Sequence, residues 1–97
     1  MHSTNNLREV SKEQEIKNWI VHWFQENSGI QEEEILKNLN LNYLEKGWMD
    51  SFAFIGFITH IEQQFGIAFL NDEFQDRSFA TVDGLTKIIK RKIDVEK

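Results

Sequence analysis

Apolar side chains recur at intervals of three and four residues along most of the chain, which is the spacing of one face of an α-helix. In the N-terminal third, this face comprises Ile16, Trp19, Ile20, Trp23 and Phe24. Ser11 and Gln14 stand just before it with the spacing of a capping box, and Gly29 follows it. The pattern predicts a first helix from about Lys12 to Glu26.

The middle of the chain passes from a polar stretch to its most aromatic run. The acidic residues 32–34 suit one short turn of helix, and residues 37–47, KNLNLNYLEKG, are expected to form a long irregular connection. A second helix is then predicted from Asp50 or Ser51 to Phe65.

At about 100° per residue, this second helix separates a core face from an outer face. The predicted core face is formed by Phe54, Phe57, Ile58, Ile61 and Phe65. Phe52 projects from nearly the opposite side, near Gly56, Thr59 and Gln63, and Ile55 lies on the flank between the two faces. An apolar surface strip beside Ser51 is the expected result.

After Gly66, which is placed to end the second helix, the chain is short and broken. Asn71 is positioned to cap one turn through Phe74, and Thr81 is positioned to cap a last helix. That helix carries Val82, Leu85, Ile88, Ile89 and Ile93 on one stripe. β-Branched residues are scattered at helical spacing and hairpin dipeptides are missing, so no sheet is expected.

Length and composition fit one folded domain, because the chain has 97 residues of which 40% are hydrophobic. The predicted fold is all-α: a small four-helix bundle with a long first loop and a short third helix. It spans residues 11–97 and follows a flexible tail of residues 1–10. The absence of cysteine excludes disulfides, thiolate metal sites and a thiol nucleophile. Apolar runs are short and no secretory signal is evident, so a cytoplasmic protein without stable membrane insertion is expected.

The charges are unevenly distributed, although the net charge is only −5. Residues 1–86 hold fourteen acidic and six basic side chains, whereas Lys87, Lys90, Arg91 and Lys92 cluster near the C-terminus. Nucleic-acid backbones need concentrated basic surface, and this cluster lies where cations favourably meet a helix C-terminus. No nucleic-acid partner is expected.

Few side chains suggest catalysis. Ser51 and His60 contain the groups of a nucleophile and a base, but nine residues of helix place them roughly 13 Å apart on opposite sides. His22 and Glu26 have the i, i+4 spacing that can share a metal, yet two ligands without a third are typical of a solvated helix face. Neither enzymatic activity nor a metal site is therefore expected.

The stretch GWMDSFAF, residues 47–54, holds the remaining candidates. The simplest interpretation of Asp50 and Ser51 is that they begin a helix, where their side chains satisfy free backbone N–H groups. Trp48 and Met49 come directly before them. These two side chains suit either a plug for the end of the bundle, under the long connection, or a position flanking Ser51.

The wider sequence gives a second interpretation of Ser51. The sequence contains, in order, Leu44, Gly47, Asp50-Ser51-Phe52, Phe65-Gly66-Ile67, Phe79 and Thr81-Val82-Asp83. This order of elements resembles that of the acyl carrier protein family. In that family, a G-x-D-S-L or G-x-x-D-S-[LF] element begins the second helix of a four-helix bundle, and its serine carries a 4′-phosphopantetheine arm. The terminal thiol of the arm holds acyl groups as thioesters. The resemblance covers roughly residues 10–93.

The resemblance implies that Ser51 is the attachment site. It implies that Asp50 is an N-cap and is part of the surface that a phosphopantetheinyl transferase recognises. It also implies a partner-binding face beside the arm, formed by Phe52, Ile55, Thr59, Glu62 and Gln63. Phe52 replaces the commoner leucine, as it does in the D-alanyl carrier branch. Glu62 is the only acid between Ser51 and Phe65, so we expect partners to be recognised through aromatic and aliphatic contact more than through acidic display.

The function implied by the resemblance is that of a monomeric, non-catalytic carrier. It would hold acyl or aminoacyl groups on the arm for the loading and transfer enzymes of a fatty-acid, polyketide, peptide-type or D-alanyl transfer pathway. The alternative is a helical protein-interaction module that has the carrier fold without a prosthetic group.

Overall fold

Four α-helices joined by irregular connections make up the part of the chain that the structure describes. The computed structural model describes the backbone of residues 2–95 and the side chains of residues 12–95. The helices are α1 (His2–Ser28), α2 (Glu32–Lys37), α3 (Ser51–Phe65) and α4 (Val82–Val95), and two short 3₁₀ segments span Asn71–Gln75 and Arg77–Ala80. Residues 2–95 contain no β-strand, so the predicted small all-α bundle of four helices is confirmed.

α1 begins earlier than predicted. The helix starts at His2 instead of Lys12, so Ser11 lies inside it and the predicted capping box is wrong. No glycine or proline between His2 and Ser11 interrupts the helix, and a single capping serine does not outweigh helix-forming neighbours. The flexibility expected of residues 1–10 stays a prediction, because the side chains of these residues lie outside the described part.

The end of α1 agrees with the prediction. Gly29 adopts the left-handed conformation, with φ of 67°, directly after the last helical residue, Ser28. α1 has 27 residues, but neither it nor any other helix in residues 2–95 contains a stretch apolar enough to cross a membrane.

One apolar face of each of the three longer helices forms most of the core. The buried apolar residues of these helices are Ile16, Ile20, Val21, Trp23 and Phe24 of α1, Phe57, Ile58 and Ile61 of α3, and Val82, Leu85, Ile88 and Ile89 of α4. The ring centroid of Phe57 lies 4.6 Å from that of Trp23 and 5.5 Å from that of Phe24. The predicted core faces are confirmed, with Trp19, Phe54 and Phe65 half-buried at their edges.

The long connection before α3 is anchored by Tyr43. The fully buried Tyr43 hydroxyl donates a hydrogen bond of 2.8 Å to the carbonyl oxygen of Phe79. The backbone N–H of Tyr43 donates to the carbonyl oxygen of Ala80 at 2.9 Å, and the N–H of Asp83 donates to that of Leu39. These bonds fasten the connection to the start of α4. The connection is therefore long and irregular, as predicted, but it is fixed in place.

The first 3₁₀ segment is held by Glu73. Its carboxylate accepts a hydrogen bond of 2.7 Å from the backbone N–H of Leu70 and lies 3.0 Å from the ammonium of Lys92 in α4. Partial burial acts to raise the pKa of Glu73, but these two donors outweigh it and lower the pKa overall. The predicted short turn is confirmed. Its predicted cap, Asn71, is wrong, because Asn71 is already the first residue of the segment and the Glu73 carboxylate takes the capping role.

Thr81 caps α4 as predicted, because its hydroxyl accepts a hydrogen bond of 3.0 Å from the backbone N–H of Gly84. At Gly84 the second 3₁₀ segment crosses α4 so closely that an added Cβ would overlap the carbonyl oxygen and Cβ of Ser78. Gly56 in α3 is the opposite case, because an added Cβ there meets nothing within 4 Å.

Tyr43 should make the free energy of unfolding depend on pH at the alkaline end. Burial raises the pKa of Tyr43 well above its ordinary value of 10.0. The unfolded chain therefore releases this proton at a lower pH than the folded chain does. The stabilisation is complete below about pH 10 and is lost as the pH rises further. Urea unfolding at a series of alkaline pH values measures the loss, and Tyr43→Phe should remove the part that belongs to this residue.

The single tyrosine of the sequence offers a direct check of the same prediction. Tyrosinate absorbance should stay low in the folded protein at pH values where it is high in the urea-unfolded protein. Coincident titration of the two states would contradict the buried, hydrogen-bonded position of Tyr43.

Gly84→Ala and Gly56→Ala should change the free energy of unfolding in opposite directions. Gly84→Ala forces the second 3₁₀ segment away from α4 and should destabilise the protein by about 1–3 kcal/mol. Gly56→Ala is a matched control on an open helix surface and should stabilise it by roughly 0.5–1 kcal/mol through helix propensity. Urea unfolding of both variants measures the two effects, and destabilisation of equal size would contradict the close crossing at Gly84.

Candidate functional site

The segment before α3 ends in a tight turn that requires glycine. The side-chain oxygen of Asn42 accepts hydrogen bonds from the backbone N–H groups of Leu44 and Glu45, which starts one helical turn. The N–H of Trp48 then donates to the carbonyl oxygen of Tyr43 at 2.9 Å, and Gly47 between them has φ of 82°. This is the pattern of a Schellman motif, whose left-handed position glycine adopts without strain.

The turn at Gly47 sends Trp48 and Met49 into the bundle. Both side chains are buried, and the ring centroid of Trp48 lies 5.5 Å from that of Phe24 in α1. Of the two positions that the sequence left open for this pair, the structure therefore shows the plug under the long connection. Burial of both residues fixes the point at which the chain emerges to begin α3.

Asp50 is the N-cap of α3, as predicted. Its backbone is extended, and its carboxylate accepts a hydrogen bond of 2.8 Å from the backbone N–H of Ala53. Ser51 is the first residue of the helix and is exposed, and its hydroxyl makes no hydrogen bond with the residues that the structure describes. Because Asp50 does the capping, the hydroxyl of Ser51 is available for other chemistry.

The backbone around Ser51 favours an anion. The N–H groups of Ser51 and Phe52 lie in the first turn of α3 and have no acceptor among the described residues. Free N–H groups and the helix dipole together stabilise negative charge at a helix N-terminus. A phosphodiester attached to the exposed Ser51 oxygen fits these surroundings, apart from the nearby negative charge of Asp50.

The outer face of α3 carries exposed apolar side chains. Phe52 is 86% exposed and Ile55 is 64% exposed, and Thr59 and Gln63 are exposed as well. This arrangement confirms the outward direction predicted for Phe52 from the helical wheel. Any role of this face in binding partners stays a prediction.

Glu62 is less available than its place on this face suggested. Its carboxylate accepts a hydrogen bond of 3.0 Å from the backbone N–H of Phe69, in the segment that follows α3. This contact joins residues seven positions apart across the turn at Gly66, so helical periodicity alone did not indicate it. The only acidic side chain of α3 therefore supports the fold locally.

His60 points away from Ser51 and towards α1. The indole N–H of Trp23 donates to Nδ1 of His60 across 3.3 Å. The sequence separated His60 from Ser51 but gave no sign of this partner, because the contact joins two helices. Two shallow cavities are open to solvent. One, of about 420 Å³, is lined by residues in and next to α2. The other, of about 300 Å³, lies around Trp19, Trp23 and His60.

His22 and Glu26 form the predicted i, i+4 pair on α1. Nε2 of His22 lies 3.2 Å from the Glu26 carboxylate, and both side chains are mostly exposed. Among the side chains of residues 12–95, no group of three or more histidine, aspartate, glutamate or cysteine residues is arranged to hold a metal ion.

Comparisons of the chain with protein-family models, with curated proteins and with solved structures give no match.

Asp50→Ala should lower the free energy of unfolding by about 1 kcal/mol, because it removes the acceptor for the Ala53 N–H. Asp50→Asn should change it by much less, since asparagine supplies the same kind of cap without the charge. Urea unfolding monitored by helical circular dichroism measures both values. Equal losses in the two variants would show that the charge of Asp50, and not its capping bond, supports the helix.

Proposed function

We propose that the protein is a non-catalytic carrier, with a 4′-phosphopantetheine group attached to the hydroxyl oxygen of Ser51. The observation that carries this proposal is that Asp50 and Ser51 have different roles at the start of α3. Asp50 makes the capping bond, and Ser51 presents an exposed hydroxyl at the same helix N-terminus. The small all-α bundle and the order of the sequence elements, which resembles that of acyl carrier proteins, support the same proposal.

The attachment step uses one group of this chain. The Ser51 oxygen attacks the phosphate of coenzyme A nearest the pantetheine, adenosine 3′,5′-bisphosphate leaves, and the hydroxyl proton passes to a base of the transferase. The free N–H groups of Ser51 and Phe52 stabilise the charge of the resulting phosphodiester. The chain has no cysteine, so the thiol that forms the thioester comes from the prosthetic group.

The partners of such a carrier are a phosphopantetheinyl transferase and the enzymes that load and unload acyl or aminoacyl groups. Phe52 and Ile55 supply exposed apolar surface next to Ser51, and burial of such surface favours association. Thr59, Glu62 and Gln63 complete this face. We expect a cytoplasmic monomer that works through transient complexes.

One observation also favours a second function. The exposure of Phe52 and Ile55 suits a helical interaction module equally well, and such a module needs no group on Ser51. In that case Ser51 is only the first residue of α3, and the apolar strip alone recognises the partner.

Incubation with coenzyme A, Mg²⁺ and a broad-specificity phosphopantetheinyl transferase separates the two functions. Intact-protein mass spectrometry should show the gain of one phosphopantetheinyl group by the unchanged chain. Ser51→Ala should abolish the gain. Ser28→Ala is the matched control, because it makes the same substitution at the last residue of α1, outside the partner-binding face, and it should leave the gain intact.

The outcomes of this experiment are distinct. A gain that survives in Ser51→Ala would contradict Ser51 as the site. No gain with several transferases, in a chain whose circular dichroism shows it to be folded, would overturn the carrier and leave the interaction module.

A further inference from the structure

The cavity of about 300 Å³ between α1 and α3, which we call the indole cavity, lies away from Ser51. On the wheel of α3, His60 is about 180° from Ser51, so the cavity is separate from the proposed attachment site. Residues of α1 that are three, four, seven and eight positions apart form most of its wall, because this spacing places them on one side of a helix. The lining residues are Trp19, His22, Trp23, Glu26 and Asn27 of α1 and His60 of α3.

Two indole rings give the cavity its apolar surface. Trp23 is buried and its N–H already binds Nδ1 of His60, so this indole contributes ring surface and no donor. Trp19 is half-buried, and its ring is stacked on that of Phe57 with an angle of 12° between the two planes. The electron-rich face of an aromatic ring attracts cations, and indole does so most strongly. The two rings therefore favour a positively charged ligand.

The polar groups next to the indole rings supply acceptors and a negative charge. The Glu26 carboxylate is mostly exposed, and Nε2 of His22, at 3.2 Å, occupies only one of its acceptor positions. The amide nitrogen of Asn27 donates to the carbonyl oxygen of Trp23 at 3.0 Å, and the amide oxygen accepts no hydrogen bond from the described residues. Glu26 and Asn27 thus offer oxygen acceptors to a ligand that carries N–H groups.

Little positive charge opposes a cation at this place. No lysine or arginine is among the described residues that line the cavity. His60 is neutral in this arrangement, because the Nδ1 that accepts the Trp23 N–H carries no proton. Residues 1–86 as a whole hold fourteen acidic and six basic side chains. The cavity therefore lies in an acidic part of the chain and has a carboxylate at its edge.

We infer that the indole cavity binds a guanidinium group, carried either by a small molecule or by an arginine side chain. A guanidinium is planar and charged, so it stacks on an indole while its N–H groups donate to the oxygens of Glu26 and Asn27. An ammonium has the charge without the flat face and fits this combination less well. The volume suits one such group on a short alkyl stem, since it is at the low end for small-molecule sites. The inference goes beyond the proposed function and is independent of any group on Ser51.

Two probes of equal charge test the inference. Ethylguanidinium and ethylammonium chlorides are titrated through the millimolar range at constant chloride concentration and at about pH 8, where histidine is ordinarily neutral. Nuclear magnetic resonance follows the indole N–H signals. Those of Trp19 and Trp23 should move saturably with ethylguanidinium and require severalfold more ethylammonium. Trp48 is buried outside the cavity, so its signal is an internal reference that should stay in place. Equal affinity for the two cations, or no saturable movement with either, would overturn the inference.

Glu26→Gln tests the role of the carboxylate. This variant should raise the Kd for ethylguanidinium about three- to fivefold, as expected for an exposed ion pair. Glu15→Gln is the matched control, because it removes the same charge from an exposed position of α1 outside the cavity, and it should leave the Kd unchanged. An equal rise in both variants would show that net charge alone attracts the cation and would overturn the site.

A tripeptide with blocked ends, Gly-Arg-Gly, decides the source of the guanidinium, and Gly-Lys-Gly is its control. Saturable movement of the Trp19 and Trp23 signals with the arginine peptide alone of these two would show that the cavity takes an arginine side chain from a protein. If ethylguanidinium binds and the arginine peptide does not, the ligand is a free small molecule. Either result supports the inference, and failure of both guanidinium probes overturns it.

Discussion

Tyr43 takes part in three hydrogen bonds that hold the long connection against the bundle. Its hydroxyl and its N–H reach the carbonyl oxygens of Phe79 and Ala80, and its own carbonyl oxygen accepts the N–H of Trp48. The first two bonds join the connection to the start of α4. The third closes the turn at Gly47 and fixes where α3 begins. The position of Ser51 thus depends on a buried tyrosine eight residues before it.

The aromatic residues divide into two groups with different consequences for the site. One group joins α1 to the long connection before α3. Its members pack around Phe57 or around one another and are Trp23, Phe24, Tyr43 and Trp48. A second group, which consists of Phe54, Phe69, Phe74 and Phe79, joins α3 to the short segments before α4. Aromatic side chains contribute large buried areas and favourable edge-to-face contacts, so few residues suffice to order two irregular segments. Phe52 alone among the phenylalanines of residues 12–95 is left almost fully exposed.

Periodicity predicted those features that depend on a single helix. The opposite directions of Phe52 and Phe54 follow from the wheel of α3, and the cap by Thr81 follows from its place before an apolar stripe. Contacts between elements were not predictable in this way, because they join residues far apart in the sequence. The Tyr43 anchor, the Trp23 to His60 bond and the Glu73 to Lys92 pair are of this kind. The early start of α1 was not predictable from Ser11, because helix-forming neighbours outweigh one capping serine. The capping role of Glu73 at the first 3₁₀ segment was not predictable from Asn71 alone.

The scarcity of charged side chains on α3 would also affect how fast a complex on this helix forms. Glu62 is the only aspartate, glutamate, lysine or arginine in α3, and its carboxylate accepts a hydrogen bond from the backbone N–H of Phe69. Rapid encounters between proteins are driven by facing charges of opposite sign, and neutral surfaces associate at roughly 10⁵–10⁶ M⁻¹ s⁻¹. A partner that docked on the outer face of α3, as proposed, would find it without steering by charges of that helix. The specificity of such a complex would then reside in its lifetime, and therefore in the fit around Phe52.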